Sequence, residues 1–225
     1  MDSTNNKPVR PRDAAVMILL RGCADRHEVL MGRRSRKSRF MPDVYVFPGG
    51  GLDRDDGKVN SISELDSSIV PYMSVSGRLN HARRLAIAAV RETFEETGLM
   101  VGEPGDVGQM NHPVWNVFRK KDRSPSLSNL RYIGRAITPA YLPIRFHARF
   151  FLHKITRDLG QLGGDGELVE LQWIETRDAL HLPLADVTEF MLRHVIDLMR
   201  SDNRKKRYPV FTYQNNAPRI KYPTS

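Results

Sequence analysis

The apolar positions fall into two periods. Residues 14–20 form a continuous apolar run of strand length, and residues 28–33 read as a second strand, with 23–27 as the turn between them. Residues 44–47 are a short apolar strand that stops at Pro48-Gly49-Gly50-Gly51. Residues 131–138, 144–155 and 168–174 are further strands. In the second of these, Ile144, Phe146, Ala148, Phe150 and Leu152 face one way, and Arg145, His147 and Arg149 the other. In the third, Val169, Leu171 and Trp173 share a face. Helical spacing is clearest over 81–97, which is rich in Ala, Leu, Arg and Glu and is stopped by Gly98. A second amphipathic helix covers 184–200, with Val187, Phe190, Met191, His194, Val195 and Met199. Residues 111–121 read as a short helix or a loop. Strands and helices alternate without βαβ regularity, which predicts an α/β sandwich on a mixed sheet.

Between these elements, residues 53–80 are rich in Ser, Asp and Gly and read as an insertion, with a helical turn around 61–69. Residues 1–12 are expected to be a flexible arm, 13–200 the folded domain, and 201–225 a tail, first basic and then rich in Pro, Asn and Tyr.

Composition narrows the function classes. The chain has 225 residues, one ordinary domain with an insertion, and 40% of them are apolar, enough for a core. Lys and Arg exceed Asp and Glu by 35 to 26, a formal charge of +9, which points to a polyanionic partner. The single cysteine, Cys23, excludes an internal disulfide framework and a multi-cysteine zinc site. No apolar run reaches the roughly 18 residues of a membrane span, and the polar N-terminus lacks the core of a secretory signal. The expectation is a cytoplasmic chain.

The chemistry is concentrated in Arg91-Glu92-Thr93-Phe94-Glu95-Glu96-Thr97-Gly98-Leu99. With Glu92 at zero, Glu96 lies about 40° to one side and Glu95 about 60° to the other, so three carboxylates share one helix face. Ile87, Val90 and Phe94 lie roughly opposite and are expected in the core. Carboxylates at this spacing repel one another. A solvated acidic face is one reading; a hard divalent cation such as Mg²⁺, which takes oxygen ligands, is the other.

The flanking residues favour the second reading. With Phe47-Pro48-Gly49-Gly50 before the helix, the segment resembles the Nudix box, G-x5-E-x7-R-E-U-x-E-E-x-G-U, where U is aliphatic. Gly50 matches the first glycine. Arg91, Glu92, Glu95, Glu96, Gly98 and Leu99 match the second half, and Thr93 replaces the first U. The middle Glu does not fit. Counting six forward from Gly50 gives Asp56, whereas counting eight back from Arg91 gives Arg83, so an insertion of about 27 residues splits the box. Asp56 either replaces the missing Glu or the role is lost.

The resemblance implies a Nudix α/β/α sandwich and Mg²⁺- or Mn²⁺-dependent hydrolysis of a diphosphate linked to another group. By carry-over, Glu92, Glu95, Glu96 and the Gly50 carbonyl are metal ligands, and Arg91 orients carboxylates. Glu92 and Glu96 are placed among the catalytic groups. The general base is left open between Glu92, Glu167 and Glu170; the latter two read equally as solvated carboxylates at a strand edge.

A second motif bears on the substrate. Arg34-Ser35-x3-Arg39-x3-Asp43-x3-Phe47-Pro48-Gly49-Gly50 resembles the signature of coenzyme A diphosphatases, R-S-x3-R-x3-G-x3-F-P-G-G, departing only at Asp43. It implies coenzyme A or acyl-CoA as substrate, with Arg34, Ser35 and Arg39 near its phosphates. Arg145 and Arg149 share a strand face; they read either as further phosphate ligands or as ordinary strand residues. Two alternatives stand: an ADP-ribose, nucleotide-sugar or dinucleotide pyrophosphatase, and a catalytically weak Nudix-fold module binding a nucleotide or RNA. The intact set of box glutamates argues against the module, and no nucleic-acid-reading motif is visible, so the expected partner is a phosphate-rich small molecule. Oligomerisation through the Tyr-rich tail (Tyr208, Tyr213, Tyr222) is left open, without support in the sequence.

Overall fold

The computed structural model describes residues 9–23, 26–38, 41–200 and 208–223. Of the sequence expectations, Arg39, residues 1–8 of the arm and 201–207 of the tail lie outside these. Strand β1 spans Arg12–Cys23, β2 Arg26–Arg34, β3 Tyr45–Val46 and β4 Gly49–Gly51. The expected arm thus ends earlier, because Arg12 already pairs with β8, at Phe146–Lys154, through Arg145 O. Helix α1 is Leu79–Thr97, α2 Pro113–Lys120 and α3 Asp186–Arg200. Strands β5 (Glu103–Pro104) and β6 (Arg123–Ser124) pair with each other. Strand β7 is Arg131–Ile137 and β9 Leu168–Glu175.

The main sheet is mixed. With β10 at Val210–Gln214 and β11 at Ala217–Lys221, its order is β11-β10-β7-β8-β1-β2-β3, with β4 on β1 and β9 on β2. The β1–β8 and β7–β10 pairs are parallel and the others antiparallel. Strands β10 (Val210–Gln214) and β11 (Ala217–Lys221) come from the segment expected to be a tail. They escaped the sequence reading because β11 is exposed throughout, so it carries no apolar alternation.

Strand β1 sits at the centre, and its alternation divides the core. Ala15, Met17 and Leu19 pack with α1, α2 and residues 59–75. Ile18 and Leu20 pack with Met191, Leu192 and Val195 of α3 on the other face. This is an α/β/α sandwich, as expected. Helix α1 ends where Gly98 takes a left-handed φ of 73° and its N–H meets Phe94 O. The insertion is not loose: its longer 3-10 turn lies at Ser67–Met73, later than expected, capped by Asp66, with Ile69, Val70 and Met73 buried. In β9 the expected alternation fails. Glu170 takes a φ of 53°, the β2–β9 register shifts between Met31 and Arg33, and Leu168 rather than Val169 is buried.

Candidate active site

Three backbone pieces set the site. Pro48 and strand β4 run antiparallel along β1, with Met17 N–H donating to Pro48 O and Ala15 opposite Gly50. At Gly49 a side chain would sit 2.5 Å from Ala15 O, so only glycine allows this approach. The last turns of α1 pack behind it. Asp55–Gly57 forms a 3-10 turn that buries Asp56 below the same helix.

Arg91 joins these pieces. It is 5% exposed and Asp56 is fully buried. Its Nε donates to Asp56 Oδ1 (2.9 Å) and its Nη2 to Asp56 Oδ2 (3.1 Å) and Gly51 O (2.7 Å). Its Nη1 is shared between Glu92 Oε1 (2.9 Å) and Glu95 Oε2 (2.8 Å). Burial works against the guanidinium charge, but the Asp56 hydrogen bonds and the charges of Glu92, Asp56 and Glu95 outweigh it and raise its pKa. Asp56, six residues after Gly50, thus grips Arg91.

Glu96 is 2% exposed and accepts Gly49 N–H at 2.8 Å. The Glu92 carboxylate lies against Gly50, where a side chain would meet it at 2.6 Å. Burial, opposed in part by Arg91 and assisted by Glu95, pushes Glu92 up to about 7. Burial also lifts Glu96 well above its ordinary value, against the Gly49 hydrogen bond and with help from Glu92 and Glu167. Collecting carboxylates in one enclosed place is costly, and a divalent cation offsets that cost.

The carboxylates of Glu92, Glu95 and Glu96 offer oxygen donors alone, the kind that suits Mg²⁺ or Mn²⁺ rather than a thiolate-seeking ion. Among the described residues, no three such side chains already surround one point. Glu92 and Glu95 are turned to Arg91 and Glu96 to Gly49, so taking up a cation needs side-chain rotation.

The remaining sequence candidates divide. Glu167 lies beside the box: its charge reaches Glu92 and Glu96, its carboxylate is 3.8 Å from Arg34, and its carbonyl accepts Ser35 N–H. Glu170 is drawn away. It pairs with Arg33 and accepts the Tyr45 hydroxyl at 2.8 Å, contacts that hold its carboxyl below its ordinary value. Arg149 is a correction. It is 1% exposed, pairs with Asp13, and donates to Met73 O (3.0 Å) and Ser74 O (3.2 Å). It fastens the insertion to the sheet, on the face opposite the cleft lined by Phe146, Ala148 and Phe150. Arg145 is likewise occupied by Thr138 O and Val9 O. Asp43, the departure from the second motif, has a φ of 61°. The position demands a left-handed backbone, which explains the glycine of the signature and why an aspartate is tolerated there.

No family model matches the chain. It is 28% identical over 180 residues to the Caenorhabditis elegans protein named "Putative nudix hydrolase 7", covering 75% of this chain and 53% of that protein. It is 34% identical over 101 residues to the Xenopus laevis acyl-coenzyme A diphosphatase NUDT19, covering 35% of this chain and 26% of that protein. The chain thus spans about half and about a quarter of the length of these curated relatives. Among solved structures, a NUDIX hydrolase from Alicyclobacillus acidocaldarius matches with a TM-score of 0.63 and 28% identity over 84% of this chain and 92% of that one. The NUDIX domain of Shewanella oneidensis NrtR, solved with ADP ribose, shares the fold alone, with a TM-score of 0.50 and 11% identity over 88% and 94%. In its fold and in its box residues the chain is similar to the Nudix hydrolases among these relatives.

Proposed function

We propose that the chain hydrolyses a diphosphate linkage with the help of Mg²⁺ or Mn²⁺, and that its substrate is coenzyme A or acyl-CoA, split into 3′,5′-ADP and a 4′-phosphopantetheine. The observation that carries the reaction class is the gathering of Glu92 and Glu95 at Arg91 and of Glu96 at Gly49, beside strand β4. Glu92, Glu95, Glu96 and the Gly50 carbonyl hold the cation. When bound, such an ion neutralises charge developing on the phosphates and lowers the pKa of water. Arg91, tied to Asp56, positions Glu92 and Glu95 and does not itself reach substrate. Arg34, at the cleft edge beside Gly49 and Gly50, offers a cation to a phosphate. Glu167 suits the role of general base better than Glu170, whose carboxylate is committed to Arg33 and Tyr45. The Arg34–Gly50 motif and the partial likeness to an acyl-coenzyme A diphosphatase support the substrate.

The test is a product-resolved assay with CoA, acyl-CoA, ADP-ribose and dinucleotides, each with Mg²⁺ and with Mn²⁺. Release of 3′,5′-ADP supports the reading. Turnover of another diphosphate without that product overturns the substrate and keeps the class.

A further inference from the structure

A cleft of about 610 Å³ opens beside the Gly49–Gly50 turn, within the range of small-molecule sites. Its floor is the α3-facing side of the sheet, including Val16, Ala148 and Phe150. Its far wall is the C-terminal hairpin, which contributes Phe211 and Tyr213 of β10 and Asn216 of the turn. Tyr213 Oη donates to Asp186 Oδ2 at 3.4 Å, tying the hairpin to the start of α3. Met41 and Tyr141 also line the cleft and stay 39% and 64% exposed, an apolar mouth without a partner among the described residues.

Charge is distributed unevenly along this cleft. Among the described residues lining it, the cation is Arg34, at the box end, and the anion is Asp186, beside the hairpin. A second phosphate placed at the hairpin end would meet Asp186 and no cation. An alkyl chain would meet apolar walls and has no polar group whose hydration would be lost.

We propose that the cleft receives the acyl arm of an acyl-CoA-type substrate, with the diphosphate at the box, and that the C-terminal hairpin sets the length of arm accepted. This rests on reading the box as a diphosphate hydrolase. Each methylene buried should tighten binding about fourfold until the cleft is full. Tyr213 closes the far wall and Ala148 forms part of the floor, so the two positions bear on length in opposite directions.

The experiment measures kcat/KM for CoA and for its acetyl, octanoyl and palmitoyl thioesters, with calorimetric binding of CoA and octanoyl-CoA alongside. The wild-type preference for octanoyl-CoA over CoA should appear in KM. Ala148→Phe should collapse the octanoyl-to-CoA ratio toward one, and Tyr213→Ala should move the optimum to longer chains. Tighter binding of octanoyl-CoA than of CoA without cleavage of either would uphold the cleft and overturn the hydrolase reading. Cleavage with no dependence on chain length, ratios unchanged in both variants, or no binding of either ligand would overturn the inference.

Discussion

Arg91 and Asp56 meet across 35 positions of sequence, with Nε–Oδ1 at 2.9 Å and Nη2–Oδ2 at 3.1 Å, both groups almost wholly shielded from water. Breaking a buried pair by removing one partner leaves an uncompensated charge and costs about 3–5 kcal/mol. Asp56→Ala should therefore lower the melting temperature sharply. It should also reduce kcat in the fraction that stays folded, because Glu92 and Glu95 lose the group that positions them. Thermal unfolding and kcat measured on the same preparation check both.

Gly50→Ala separates the site from the fold. The added methyl would displace the Glu92 carboxylate, a movable group, so the melting temperature should fall little. Hydrolysis should fall by about 100-fold or more, since a displacement of about 1 Å at a reacting centre is that costly. Equal losses of stability and activity would contradict this.

Arg149 gives the opposite result. Its hydrogen bonds hold residues 73 and 74 of the insertion to β8. Arg149→Met should destabilise the protein by about 3–5 kcal/mol while leaving KM for the diphosphate substrate unchanged in the folded fraction. A raised KM with unchanged stability would return Arg149 to the substrate.

The acid side of the stability curve carries its own signature. Burial, with Arg149 and Arg135 beside it, pushes His147 down from its ordinary 6.5 to about 3. Arg135 Nη1 approaches His147 Nε2 at 3.0 Å, which requires that nitrogen to accept. Below pH 6.5 the unfolded chain takes up a proton that the folded one refuses, so this stabilisation is present above pH 6.5 and lost as pH falls toward 3. His147→Gln should flatten the stability curve across that window, as read by urea unfolding at stepped pH.

The sequence made the chemistry legible where it is local. Glu92, Glu95 and Glu96 sit on one face because one helix carries them, and Gly98 ends that helix as its αL conformation requires. Spacing could not decide Asp56, since joining it to Arg91 needs the intervening residues to fold back on α1. Arg149 was left open between two roles for a related reason. Alternation placed it with Arg145 on one face of β8, but which face meets the cleft depends on α1 and the insertion covering the other. Glu170 was open because its bulge has no sequence signature. The hairpin was missed because an exposed edge strand needs no apolar alternation, although Phe211 and Tyr213 at its inner strand were the available signal.

The most direct test of the central claim is diphosphate hydrolysis as a function of Mg²⁺ in the wild type and in Glu96→Gln, with thermal unfolding alongside. Gln removes a buried carboxylate whose charged form is disfavoured and retains an acceptor for Gly49 N–H, so the variant should be at least as stable as the wild type. Its Mg²⁺-dependent turnover should fall by about 100-fold or more, as expected when a ligand of the activating ion is lost. Undiminished hydrolysis in Glu96→Gln, or no Mg²⁺-dependent hydrolysis of any diphosphate by the wild type, would contradict the account.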